Sequence, residues 1–282
     1  MSTPASSIID LIKQQSQKGD SLPVLDPNAM KIQTEATRSD PDFAELTRLI
    51  RMDPTLTSQV LRTANSPFYR GLGDVETIKE AVVRLGQTEM VNVIMKVVHQ
   101  QNFKSKNPLI RPYQNKLWAH SVSCAIGSLW TARYLALEDL IPRAFIAGLL
   151  HDMGKLYLLT ALEKILASKA IDFTPPPQLI EKILSNLHTD LGYDLLTKWH
   201  LPEPYRHIAR DHHTETFDHT DMLLMIVRLV NMVCNKMETN DENIDLSGVA
   251  SSREADILGM PEIGVAELEV ALEDARETQP IR

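Results

Sequence analysis

What most constrains this chain is its punctuation. Helix-starting and helix-stopping signals recur along nearly its whole length, and alternating runs of strand type are scarce. Leu46, Leu49 and Ile50 fall at the i, i+3, i+4 spacing of one helix face. Asp53-Pro54 offers an N-cap with proline in the first turn. It opens a helix over PTLTSQVLRTA, which Asn65-Ser66-Pro67 stops. Thr77 and Glu80 form a capping box before AVVRL, and Gly86 is placed to end that helix in a left-handed conformation. A further helix is predicted over 87–102, then a break at Asn107-Pro108. From Leu117 a long amphipathic segment carries His120, Cys124, Gly127 and Trp130, and LEDLIP links it to a helix that holds His151. TPPP at 174–177 reads as a stiff loop. Helices are predicted over 178–187, 188–199, 203–211 and 222–236. A linker over METNDENID and a closing amphipathic helix in GVAELEVALEDAR follow. The chain reads as all-α, an N-terminal helical bundle packed on a C-terminal one. The boundaries are 1–110, 111–237, and an acidic linker with a final helix at 238–282.

Charge narrows the partners. The net charge is −8, and the stretch Lys236–Arg282 accounts for it with 12 acidic against 4 basic residues. An acidic tail on a neutral body is a poor match for nucleic acid or for an anionic membrane surface, and it reads as a solvated helix. No apolar run approaches the ~20 residues that cross a bilayer, and the N-terminus lacks the basic flank and apolar block of a signal peptide. Cys124 and Cys234 are the two cysteines. Two lone thiols in apolar helical patterns argue against a disulfide framework and point to a reducing cytoplasm.

The chemistry concentrates in GLLHDMGKLYLL, residues 148–159, where His151 and Asp152 sit side by side in an apolar run with Lys155 one turn later. Burying an imidazole and a carboxylate together is costly unless something pairs with them. On one helix they would project about 100° apart and offer one nitrogen and one oxygen to a point between them. A borderline divalent ion takes that mixture. His120, on the preceding helix, faces the pair if the two helices are antiparallel neighbours. His188, His212 and His213 stand where later helices open or close. His99, His200, His207 and His219 read as ordinary core or surface histidines. Cys124, one turn from His120, reads as a small buried residue rather than a ligand.

Two segments carry a family resemblance. The first is LTRLIRMDPTLTSQVLRTANSPFY followed by VETIKEAVVRLGQTEMVNVIM. Its Asp53-Pro54-Thr55-Leu56, Asn65-Ser66, Ile78 with Ala81, and Leu85-Gly86 resemble the opening of HDOD domains. The second comprises LWAHS, AFIAGLLHDMGKLYL and LHTDLGYDLLTKWHLP, which resemble the later half of that family. The likeness spans residues 22–218. HDOD domains are similar to the HD phosphohydrolase superfamily, helical enzymes that hold divalent metal on a His, a His-Asp pair and a distant Asp. The resemblance implies metal positions at His120, His151 and Asp152, with Lys155 meeting substrate phosphate. It adds His188, His212 and His213, which look like the histidine motifs of the cyclic-dinucleotide-cleaving branch. The last acid is missing, because IVRLVNMV puts Asn231 at its place, and Thr-Glu-Thr-Phe follows His213 where that branch has Gly-Tyr-Pro.

Two functions remain open on this reading. One is a bacterial cytoplasmic signalling or regulatory module of HDOD type with a degenerate metal site and little or no catalysis. No receiver, kinase or cyclase domain is fused, so its input would come from another protein or a small phosphate-containing ligand; the reading allows a homodimer. The other is a metal-dependent phosphohydrolase acting on a nucleotide or cyclic dinucleotide, with Arg143, Arg206 and Arg210 beside the cleft. Fe, Mn, Zn or Ni would suit the imidazoles, while an ion-free hydrogen-bond network is the alternative, with Asn231 serving as both donor and acceptor.

Overall fold

In a computed structural model of the chain, residues 8–12, 14, 27–69, 71, 73–171, 173–238 and 246–278 are described, with side chains to residue 275. Among them the regular structure is helical, with no strand. The chain divides into two compact units. One is Val24–Asn102 with Trp199–Pro202; the other includes Phe103–Lys198 and the chain from Glu203.

The first unit holds α1 (Pro27–Ala36), α2 (Phe43–Arg51), α3 (Pro54–Ala64) and α4 (Ile78–Gln100). Their starts are local chemistry. Asp42 and Asp53 each accept two backbone N–H groups of the first turn they open. Removing one such cap costs about 1 kcal/mol. Both members of the Thr77/Glu80 capping box are in place. Asn65 ends α3 by gripping the Val75 backbone, donating to its carbonyl at 2.8 Å and accepting from its N–H at 2.7 Å. Gly86, at φ 75°, breaks α4 at the predicted point, and the helix resumes beyond it. Trp199 belongs to this unit: Gln33 donates to its carbonyl, and its ring lies 5.5 Å from that of the fully buried His99.

The second unit holds α5 (Arg111–Tyr134), α6 (Ile141–Leu150), α7 (Met153–Ala167), α8 (Pro177–Lys198) and α9 (Glu203–Asp211). It continues through α10 (Met222–Met237), α11 (Ser247–Ala250), α12 (Arg253–Leu258) and α13 (Glu262–Thr278). Glycines set its tightest approaches. A Cβ at Gly148 would meet the Cys124 carbonyl carbon at 2.7 Å, so α6 lies directly on the α5 backbone. A Cβ at Gly154 would overlap the His188 carbonyl, so α7 lies on α8 just as closely. Arg228 ties the later part together. It bonds Glu254 at 2.7 Å, the carbonyls of Asp211 and Thr214, and lies 3.9 Å over the Phe217 ring. Met225, Leu229 and Val233 of α10 are core.

Three expectations change. His151 and Asp152 do not share one helix: they occupy the break between α6 and α7. The apolar run continues across that break, so periodicity gives no sign of it. His188 lies inside α8 instead of opening a new helix, because no proline or glycine interrupts 178–187 before it. Third, Ile141–Ala167 taken together is apolar enough to pass for a membrane span, with mean hydropathy 1.2, but 89% of that window is buried inside the protein. It is the core of this unit. Most of METNDENID, from residue 239, lies outside the described residues.

Candidate metal centre

The break between α6 and α7 is where the site is built. The His151 N–H still closes the last turn of α6 on the Ala147 carbonyl, and Lys155 N–H opens α7 on the Asp152 carbonyl. Asp152 holds the N-cap position of α7 but makes no side-chain cap. Its carboxylate turns inward instead and is buried at 1% exposure.

Four imidazoles surround that carboxylate. His120 Nε2 is 3.6 Å and His151 Nε2 is 3.5 Å from Oδ2. His188 Nε2 and His212 Nε2 are each 3.4 Å from Oδ1. The other nitrogen of every ring is engaged outward. Nδ1 of His151 meets the Gly148 carbonyl at 2.8 Å, that of His188 the Ser185 carbonyl at 3.0 Å, and that of His212 the Ile208 carbonyl at 3.0 Å. Nδ1 of His120 meets the Glu238 carboxylate at 2.7 Å. An acceptor at Nδ1 favours the proton there, which turns the Nε2 lone pairs of His151, His188 and His212 toward Asp152, and His120 Nε2 faces the same carboxylate. His213 packs beside them, its ring 4.2 Å from that of His212 and 5.2 Å from that of His188. His213 is the exposed member at the edge of the cluster; the other five are buried.

This arrangement is unsatisfied as it stands. His151 Nε2 and Asp152 Oδ1 are buried without a hydrogen-bond partner among the described residues. His188 Nε2 and His212 Nε2 face each other at 3.3 Å. Two lone pairs at that distance repel unless a proton or a cation lies between them. An ion-free network would pair His151 Nε2 and Asp152 Oδ1, and here those two atoms are not paired.

The electrostatics suit a cation. Burial works against the Asp152 carboxylate, but Lys155 at 2.6 Å and the surrounding imidazoles outweigh it and hold the group ionised, well below the usual carboxylate range. Burial drives His151 well below an ordinary histidine, His188 to about 4 and His213 to about 3. Neutral imidazole is the metal-ligating form. His120 behaves differently. Burial pushes it down, but the Glu238 hydrogen bond and the nearby carboxylates leave it raised.

Two donor groups share Asp152. His188, His212 and His213 bring ring nitrogens within 4.8 Å of one another on one side. Ring nitrogens of His120 and His151 lie as close to one another and to Cys124 Sγ on the other, and His151, Asp152 and His212 link the two. The six predicted donors are thus gathered in one place, and the residues fit a divalent metal. Lys155 pairs with Asp152 at 24% exposure. Asn231 is buried on α10, its carboxamide oxygen accepting from Asn235 at 3.0 Å. Sequence reasoning missed Glu238, although it lies seven residues beyond Asn231 and so on the same helix face.

The arginines lie at other features. Arg143 lines an open groove of about 950 Å³ with Glu203, His207 and Asp221, and no residue of the histidine cluster lines it. Arg206 and Arg210 lie against the Tyr193 ring.

A family model for the HDOD domain matches residues 22–215. An uncharacterized protein of Treponema pallidum (strain Nichols) is 26% identical over 213 residues, 74% of this chain, and the chain spans 39% of that relative's length. Among solved structures, an HDOD domain protein with unknown function from Geobacter sulfurreducens superposes with a TM-score of 0.72 at 21% identity, covering 97% of this chain and 99% of the other. A candidate metal-dependent phosphohydrolase from Shewanella amazonensis gives 0.70 at 17% identity, covering 95% and 97%. A candidate signal transduction protein from Marinobacter aquaeolei gives 0.66 at 19% identity, covering 97% and 63%. At these identities the structural likeness establishes a common fold.

Proposed function

The chain belongs to the HDOD domain family, and from that premise we propose that it is a regulatory module of cytoplasmic signalling that carries a divalent-metal centre. His120, His151 and Asp152 hold an ion on one side; Asp152, His188, His212 and His213 hold one on the other. Output runs through contacts with another protein. The two buried free thiols support the cytoplasmic setting. The acidic balance of the chain speaks against nucleic acid and anionic membrane as partners.

One observation carries the metal. His151 Nε2 and Asp152 Oδ1 are buried without partners at the centre of four inward-facing imidazoles. Leaving such groups unpaired costs about 1–3 kcal/mol each, and a cation removes that cost. Bound there, a divalent ion would supply Lewis acidity toward a phosphate oxygen.

A second reading, phosphohydrolase activity, has its own support. The side bearing His188, His212 and His213 gathers three ring nitrogens within 4.8 Å of one another, and Lys155 lies partly exposed beside it for a phosphate. The regulatory reading ranks first because the resemblance puts Asn231 where the superfamily has its last metal-binding acid. Metal analysis of the full chain, reconstituted separately with Fe, Mn, Zn and Ni, tests both, followed by assay on a generic phosphodiester. Bound metal without turnover is the expected result. Turnover that is abolished in Asp152→Ala promotes the enzyme reading, and a chain that binds none of the four ions removes the metal centre.

A further inference from the structure

We propose that Cys124 is a ligand of the ion on the His120 side, its thiolate supplying an anion at that position. The inference rests on the metal centre proposed above and identifies the donor set of one of its two positions.

The geometry comes from helix packing. Cys124 follows His120 by one turn on α5, so both side chains leave the same face. Its Sγ lies 3.5 Å from His120 Nε2. Sγ and the ring nitrogens of His120 and His151 all lie within 4.8 Å of one another. Cys124 and His151 are both at 0% exposure. Gly148 makes the approach possible twice over. Lacking a Cβ, it lets α6 rest on the backbone of Cys124, and its carbonyl holds His151 Nδ1, which turns the unpartnered Nε2 toward the thiol.

Charge points the same way. A dication here would meet two imidazoles, which bring it no negative charge, and a single carboxylate. That carboxylate already pairs with Lys155 and faces the second donor group. Glu238 is taken up by His120 Nδ1 and so acts through the ring. Asn231 offers a neutral amide that is engaged by Asn235. Cys124 is the buried thiol grouped with both rings, and it becomes an anion on binding. Its S–H bond breaks, a sulfur–metal bond forms, and the proton goes to the buffer, with no change in oxidation state. Burial and the neighbouring Cys234 thiol hold Cys124 protonated without an ion. A dication at bonding distance reverses that preference. Thiolate with imidazole selects Zn or Fe(II) over Mn at this position.

Cobalt(II) is the probe. The full chain is stripped with chelator and titrated with Co(II), and bound cobalt is counted while the near-ultraviolet spectrum is recorded. An intense thiolate-to-cobalt charge-transfer band is expected. Cys124→Ser is expected to lose that band while still binding cobalt, and Cys234→Ser to keep it. X-ray absorption of the zinc-loaded unmodified chain needs no variant, and one sulfur scatterer at about 2.3 Å is expected. Cobalt bound without the band, a zinc shell of nitrogen and oxygen alone, or a band that survives Cys124→Ser overturns the assignment and leaves the metal centre standing. No cobalt bound at all overturns both.

Discussion

The Glu238 carboxylate lies 2.7 Å from His120 Nδ1, joining the end of α10 to the middle of α5 across 118 positions of sequence. The contact holds the ring so that Nε2 faces Asp152 at 3.6 Å and Cys124 Sγ at 3.5 Å. A carboxylate behind a ligating histidine raises the ligand's basicity and holds its orientation, and losing one typically costs about 10- to 100-fold in metal affinity. Glu238→Gln is expected to weaken zinc binding by that factor with unchanged helix content, measured by competition against a chromophoric chelator. Equal affinities in the two proteins would make the contact incidental.

Lys155 is the counter-charge that makes Asp152 tolerable without an ion. Its Nζ sits 2.6 Å from a carboxylate of 0% side-chain exposure. Removing one member of a fully buried pair costs about 3–5 kcal/mol; Lys155 is partly exposed, so about 2 kcal/mol is the expected loss in Lys155→Met. That loss is expected in the metal-free chain and to shrink on loading, because a bound cation takes over the ammonium's role. Urea unfolding of both proteins, with and without zinc, measures it. A loss of the same size in both states would contradict a metal beside Asp152.

What the sequence revealed and what it hid divide along contact range. Asp53, Thr77 with Glu80, and Gly86 act within a turn of themselves, so their roles are legible from spacing alone. The histidine set was legible through residue type and family likeness. Their common ring orientation was not, because it depends on where three backbone carbonyls and Glu238 stand. Cys124 reads as ordinary core in sequence, since nothing local tells that Gly148 brings α6 onto its carbonyl. The helix break at His151 was hidden by the apolar residues that continue on both sides of it.

Gly154 tests whether close helix approach positions the site. Alanine is a better helix former than glycine by about 1 kcal/mol, which alone would stabilise α7. Its methyl group would, however, overlap the His188 carbonyl, a backbone atom held within α8. Overpacking of this kind costs about 1–3 kcal/mol, so Gly154→Ala is expected to be destabilised on balance. Zinc affinity is expected to fall with it, because α7 carries Asp152 at its start and α8 carries His188. A variant more stable than the parent in thermal unfolding would show that the helices have room to part.

His99 gives the first unit a pH dependence of its own. The ring is fully buried, neither nitrogen has a partner among the described residues, and burial lowers it to about 3 from 6.5. Between those two values the unfolded chain holds a proton that the folded chain does not. The unfolded state therefore gains as pH falls, and stability drops by about 1.4 kcal/mol per pH unit through this group. The contribution is present above 6.5, erodes as pH falls below it, and levels off near 3. His99→Phe keeps a ring against Trp199 and removes the titration. The variant is expected to match or exceed the parent near neutrality, since two unpaired buried nitrogens are gone. Its urea midpoint is expected to fall less steeply between about pH 6 and about pH 4. Parallel pH profiles for parent and variant would show that His99 takes up a proton in the folded chain.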